Sequence, residues 1–268
     1  MTNGLHCTSA AGILSLRIDR PHRMNALDGP TAEALIDALT TAASDPAVRV
    51  VIVTGTGSAF STGADIAEMA AAEPSSDAQA DAEETMRVAA ALVRAVLDVP
   101  MPVIAQVNGI AAGIGVSIAL AADLVYAAED AQFLLPFTSL GLMPDGGSTL
   151  SVPAAIGRAR AGAMALLGEP MSAADAARCG LITAAVAPQD LDEHVRTIAR
   201  TLSRGPRRAL ELTKRALTAS TLALLDDALE RETAGQVELL TAPEFVQGLD
   251  AVLNHRQPRS RRESPRTY

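Results

Sequence analysis

A chain of 268 residues is long enough to bury a large core within one domain. Hydrophobic residues make up 49% of it but aromatics only 2%, with no Trp, so the core must be built from Ala, Val, Leu and Ile, as in layered α/β packing. A net charge of −9 argues against nucleic-acid binding through a basic surface, and no run of about 18 uncharged apolar residues exists to span a membrane.

Residues 1–4 are not followed by the basic region and apolar run of a signal peptide. Cys7 and Cys179 lie far apart, without metal-like spacing, which fits a reducing compartment; no metal is expected and the expected location is cytoplasmic. Residues 12–18 alternate around Ile13, Leu14, Leu16 and Ile18 and predict a strand. Residues 19–26 form a loop, because Pro21 ends the pairing. Residues 31–43 place Ala34, Leu35, Ala38, Leu39 and Ala42 on a helical face, closed by Asp45-Pro46. A buried strand, 48–54, ends in Gly55-Thr56-Gly57-Ser58. Residues 59–66 predict a strand end and turn, leading into a short helix over 67–72. The acidic stretch 73–84 predicts a mobile loop over the site, and 85–97 a helix stopped by Pro100 and Pro102.

The stretch 103–148 organises the chain. A strand over 103–107 breaks at Asn108-Gly109 and passes through Gly113-Ile114-Gly115 into a small-residue helix over 116–122. A strand over 124–128, a short edge over 131–137 and a second glycine turn, Pro144-Asp145-Gly146-Gly147, follow. Glycines where a strand turns into a helix let backbone amides approach a ligand, and the helix N-terminus adds partial positive charge there. Such a turn suits a developing oxyanion. With Asp145 a lone carboxylate in the second turn, the two turns are expected to face one another across an active site. Strands alternating with helices predict βαβ units. Beyond residue 151 the chain is nearly all helix, over 153–167, 172–178 (with Gly180 ending it), 191–203, 206–219, 221–240 and 243–254, with a short extended piece at 181–186. The tail 255–268 carries a net +4 against −13 for the rest, and reads as a solvated end or as a contact with a phosphate or a neighbouring subunit.

At these residues the chain resembles the crotonase, or enoyl-CoA hydratase/isomerase, superfamily. The pieces come in the family's order: Arg20-Pro21 and Asn25-Ala26-Leu27, then Phe60-Ser61-Thr62-Gly63-Ala64-Asp65, Asn108-Gly109 through Asp123, Pro144-Asp145-Gly146-Gly147, Gly157-Arg158-Ala159 and Cys179-Gly180-Leu181-Ile182. The resemblance implies an α/β crotonase fold of repeated ββα units, with a core over 1–200 and a C-terminal helical trimerisation region over 201–254, before the tail at 255–268. It implies a homotrimer or hexamer and an acyl-CoA thioester as substrate, CoA being part of that substrate and no separate cofactor being needed. By the same resemblance the amides of Ala64 and Ile114 bind the thioester oxygen as it becomes an enolate. Arg23, Ala26, Asp65 and Ile66 hold CoA, and Gly113, Phe137 and Leu142 border the acyl group. Lys214 and Arg23 are candidates for a CoA phosphate, against the alternative of solvated surface cations. Ile114 departs from the family, which has the middle glycine of three there; any residue but proline keeps the amide, though its side chain narrows the turn.

The family's hydratases add water with two glutamates, whose positions here are Ser117 and Phe137. Neither acts as a general base alone. Asp145 is left, and it resembles the single carboxylate of the Δ3,Δ2-enoyl-CoA isomerase branch, which moves a proton from C2 to C4. Phe137, Leu140, Leu142 and Met143 around it are expected to desolvate it and strengthen it as a base. The alternatives are that Asp145 merely caps the following helix, that it is a nucleophile as in aryl-CoA dehalogenases, that hydration proceeds by an unusual arrangement, or that the protein binds acyl-CoA without turnover.

Overall fold

A computed structural model of the chain describes residues 4–71 and 76–254. The chain opens with an antiparallel pair, β1 (Leu5–Ala10) and β2 (Ile13–Ile18), and continues through a 3₁₀ turn at Pro21–Arg23 into α1 (Gly29–Ser44). From there one unit repeats three times: a strand in a large sheet, a short strand in a small sheet, then helix. The first is β3 (Val50–Gly55), β4 (Ala59–Ser61), α2 (Ile66–Ala71) and α3 (Ala78–Asp98). The second is β5 (Val103–Val107), β6 (Ile110–Ala112) and α4 (Ile114–Ala121). The third is β7 (Leu124–Ala128), β8 (Gln132–Leu134), a 3₁₀ turn at Pro136–Leu140 and α5 (Ser148–Leu167). The large sheet has the order β1-β2-β3-β5-β7-β10, with β10 at Ala184–Val186, and the small one β4-β6-β8-β9, with β9 at Met171–Ser172.

The repeat follows from the residues. All six residues of β3 and all five of β5 are buried, and their Val and Ile suit a parallel sheet with little access to solvent. Asn108, between β5 and β6, ties the first two units together. Its Oδ1 accepts from the Gly55 amide at 3.0 Å and its Nδ2 donates to the carbonyls of Gly57 and Ala59 at 2.8 and 3.0 Å. Gly109 must be bare, since a Cβ there would lie 2.0 Å from the Ser58 carbonyl oxygen.

After α6 (Ala173–Cys179), which ends on Gly180 at φ +86, the chain adds α7 (Leu191–Ser203), α8 (Arg207–Thr221), α9 (Leu225–Leu240) and α10 (Pro243–Leu253). The expected 200/201 boundary falls inside α7, whose Leu191, Val195 and Ala199 belong to the main core. α9 packs along α3 and against α5, and α10 covers the 3₁₀ turn at Pro136–Leu140 and α2. These contacts bring the C-terminal helices over the ends of the ββα units, where the glycine turns lie.

Two expectations change. The acidic stretch 73–84 is helical from Ala78 onward: the Asp77 side chain caps α3 through the Ala80 amide at 3.1 Å, and the charged residues occupy the exposed face of its first turns. Residue 72 of the expected short helix and residues 73–75 of the expected loop lie outside the described residues, as does the tail 255–268. The sequence reading also misses β1, an edge strand exposed at five of its six positions and so without a core-facing pattern. Among the described residues no helix is long and apolar enough to cross a membrane.

Candidate active site

The two glycine turns touch. Gly63, after β4, has φ +91, and a Cβ on it would lie 2.9 Å from the Ala112 oxygen and 3.4 Å from the Ile114 nitrogen. Gly113, after β6, has φ +56, and a Cβ on Gly115 would sit 2.4 Å from the Ser61 oxygen. The positions that demand glycine are therefore the ones flanking 114. Ile114, between them, borders a cavity.

Two amides open on this junction. Leu27 pairs with the strand end around Ala64 by donating to Gly63 at 2.7 Å and accepting from Asp65 at 3.0 Å, which leaves the Ala64 amide unused. Ile114 is the first residue of α4, where no intrahelical acceptor exists for its N–H. Neither amide has a hydrogen-bond partner among the described residues, whereas the neighbouring Gly113 amide is taken by Leu134 at 3.0 Å.

A cavity of about 470 Å³ joins these turns to Asp145, with Leu92, Phe137, Leu140, Leu142 and Phe245 supplying apolar wall. Asp145 is 9% exposed. Its Oδ2 accepts from Gln236 Nε2 at 2.9 Å, while Oδ1 is buried with no hydrogen-bond partner among the described residues. Burial pushes its pKa up to about 7, with Gln236 opposing the rise and the charge of Glu232 adding to it. The carboxyl does not cap α5. Gly147 occupies that position, and the Gly147 and Thr149 amides donate instead to Glu232, at 2.7 and 2.9 Å. Ser117 Oγ donates to the Asp145 main-chain oxygen at 2.8 Å, which fixes the turn.

A sequence model described as enoyl-CoA hydratase/isomerase matches residues 8–262. The chain belongs to that family. It is 39% identical over 247 residues to a Rhodobacter capsulatus protein named "Probable enoyl-CoA hydratase", spanning 92% of this chain and 93% of that one. It is 34% identical, over 92% of its length and 94% of the relative's, to the 1,2-epoxyphenylacetyl-CoA isomerase of Escherichia coli K12. Among solved structures, an enoyl-CoA hydratase from Mycobacterium avium subsp. paratuberculosis superposes with a TM-score of 0.87 at 43% identity, covering 97% of this chain and 99% of that chain. The fold is the crotonase fold, and the protein is an acyl-CoA-processing enzyme of the family.

Against that family pattern, the residues expected to hold CoA separate. Asp65 is 4% exposed and its carboxylate pairs with Arg20 at 3.0 Å; Arg20 also pairs with Asp28 at 2.9 Å and donates to the Ala26 oxygen at 2.5 Å. The Asp65 and Ile66 amides are used within the turn, by Leu27 and Ala64. Of the three amides of Ala64-Asp65-Ile66, that of Ala64 has no partner among the described residues, and Ala26 bonds within its own loop, to Arg23 and Arg20. Asp65 and Ile66 still border the cavity, and the Arg23 side chain is 49% exposed, with Nε 4.0 Å from Asp65.

Lys214 is held within the chain. It is 6% exposed, and its Nζ bonds Asp123 at 2.9 Å and the carbonyls of Val96 and Met101 at 3.3 and 3.4 Å, so it closes the end of α3. Burial lowers its pKa against the pull of Asp123. Lys214→Met is expected to lower the unfolding free energy by about 2–3 kcal/mol in urea titrations while leaving KM for a CoA thioester unchanged. A phosphate contact would give the opposite pattern.

The sequence reading missed Gln236 and Glu232, which approach the site from α9, 91 and 85 residues after the groups they bond. The one signal available is two polar side chains a turn apart on the buried face of an amphipathic helix. Among the described residues no group of three or more His, Cys, Asp or Glu gathers as metal ligands do.

Proposed function

We propose that this enzyme shifts the double bond of an enoyl-CoA thioester from Δ3 to Δ2, with Asp145 as the single acid/base. The observation that carries the reading is a buried carboxyl that borders the cavity onto which two unused amides open, one of its oxygens having no hydrogen-bond partner among the described residues. The carboxylate takes a proton from C2, and the C–H electron pair becomes part of a dienolate. The charge reaches the thioester oxygen between the Ala64 and Ile114 amides, each such donor supplying about 3–4 kcal/mol of transition-state stabilisation. The same carboxyl returns the proton to C4. The apolar wall holds the acyl chain, and Arg23 at the rim meets a CoA phosphate.

Ser117 and Phe137 support one base rather than two. Phe137 has no proton to give, and the Ser117 hydroxyl is committed to the Asp145 main chain. The 34% identity to an isomerase of a CoA thioester agrees with this reading. The 39% identity to a protein named as a hydratase favours a second one, hydration by a non-standard site. The exposed Leu166, Leu167, Leu212, Leu217 and Leu224 support assembly into a homotrimer or hexamer.

Incubation with a 3-enoyl-CoA is expected to raise the absorbance of the conjugated thioester. Because the ionised carboxylate is the reactive form and its pKa lies at about 7, kcat/KM is expected to rise with pH through that value and level off above it. Formation of 3-hydroxyacyl-CoA from a 2-enoyl-CoA, without isomerisation, would favour hydration; no turnover of either would leave a binding protein.

A further inference from the structure

We propose that Gln236 is the positioning residue of this site: its amide holds Asp145 by Oδ2 and thereby makes Oδ1 the oxygen that takes and returns the substrate proton. The inference rests on the isomerase reading above.

The orientation of the Gln236 amide is fixed by its neighbours. Oε1 accepts from the Met143 amide at 3.0 Å, and Nε2 donates both to the Met143 oxygen at 2.9 Å and to Asp145 Oδ2 at 2.9 Å. Turned over, the NH₂ group would face an N–H, and Oε1 would face two oxygens. All three bonds would be lost. Oδ2 therefore always meets a donor, and a donor-only NH₂ group leaves it no acceptor for a proton of its own. The proton on a neutral Asp145 belongs on Oδ1, the buried atom with no partner among the described residues. In turnover Oδ1 forms the O–H bond as the C2–H bond breaks, the electron pair passing to the dienolate; the O–H then breaks as C4–H forms. No other reactant is needed.

Gln236 does not act alone on this segment. One turn earlier on α9, Glu232 accepts from the Gly147 and Thr149 amides and from Thr149 Oγ1 at 2.6 Å. The run from Met143 to Thr149 thus hangs on one face of α9. Among the described groups packed round the Asp145-Gly146 turn, Ser117 of α4 and Ser148 of α5 bond the Asp145 main-chain oxygen and Val93 of α3 lies beside Gly146, none of them charged. Glu232 on α9 is the titratable group whose charge acts on it. The other carboxylates bordering the cavity, Asp28, Glu33, Asp65, Glu68 and Glu84, belong to α1, α2, α3 and the loops before them.

The test is a titration of the Asp145 carboxyl by ¹³C NMR of aspartate-labelled full-length protein, assigned by the signal lost in Asp145→Asn. In Gln236→Met the midpoint is expected to rise by about one unit or more, a tenfold change in proton affinity, because the charged form loses its donor. The acid limb of kcat/KM should move by the same amount with KM little changed. An unmoved midpoint in the folded variant overturns the proposal. Should Gln236→Met fail to fold, Gln236→Glu keeps an acceptor for the Met143 amide; the two carboxyls are then expected to titrate as a pair, the upper midpoint above that of the parent. Two ordinary, independent midpoints overturn it. The NMR readout needs no turnover, so a chain that does not isomerise 3-enoyl-CoA fails the isomerase reading without deciding this one.

Discussion

Asp145→Asn is expected to lower kcat for isomerisation of a 3-enoyl-CoA by about 10⁴-fold, because one side chain performs both proton transfers and no neighbour can take over. Ser117 is bonded to the main chain, Phe137 has no acid–base chemistry, and Glu232 is committed to Gly147 and Thr149. KM should change little, since the amides and the apolar wall remain. Stability should move the other way. The pKa of Asp145 lies at about 7 in the folded chain against an ordinary 3.8, so the folded state binds more protons than the unfolded one between those values. Stability from this group therefore falls as pH rises through that window and stays low above it. Asn carries no charge, so relative to the parent the variant gains, by of the order of 4 kcal/mol at pH 8 and nothing at pH 3. Urea titrations at the two pH values check this. Equal stabilities at both would mean the carboxylate is solvated.

The second large effect falls on a backbone group. Ile114→Pro deletes one amide at the first residue of α4, where proline is tolerated because no intrahelical bond is lost. It is expected to reduce kcat by about 10²–10³-fold, the equivalent of about 3–4 kcal/mol of enolate stabilisation. Ile114→Ala keeps the amide and trims the same side chain, so it should cost less than about tenfold. Equal losses in the two variants would assign the effect to the shape of the cavity and remove the amide from the mechanism.

Much of this site is written in local sequence. Gly113 and Asp145 stand in short turns whose backbone needs are fixed within a few residues, and the valine runs of β3 and β5 announce strands with little room for another reading. Asn25 is only half legible: the loop it stands in is, but its bonds to the oxygens of Thr56 and Ala59, at 2.9 and 2.7 Å, reach 31 and 34 residues along the chain. What sequence does not reveal is partnership across the chain. Lys214 reads as a surface cation because helical periodicity gives its face but not the carbonyls of Val96 and Met101 that lie there. Asp65 reads as a ligand contact because its pairing with Arg20 depends on how the loop before α1 folds back. Gln236 and Glu232 look like ordinary helix residues until α9 is laid against the Asp145 turn. The acidic start of α3 misled for another reason: a solvated helix face and a loop share one composition.

The central claim is that a single carboxyl oxygen carries one hydrogen from C2 to C4. A carboxyl holds one proton, and Asp145 Oδ1 is buried without a partner among the described residues, so an isotope placed at C2 has little opportunity to exchange. A single turnover of C2-deuterated 3-enoyl-CoA in ordinary water, read by mass spectrometry, is predicted to deliver 2-enoyl-CoA bearing deuterium at C4. Product with no deuterium at C4 even at the earliest times, or a 3-hydroxyacyl-CoA carrying solvent oxygen, would contradict it.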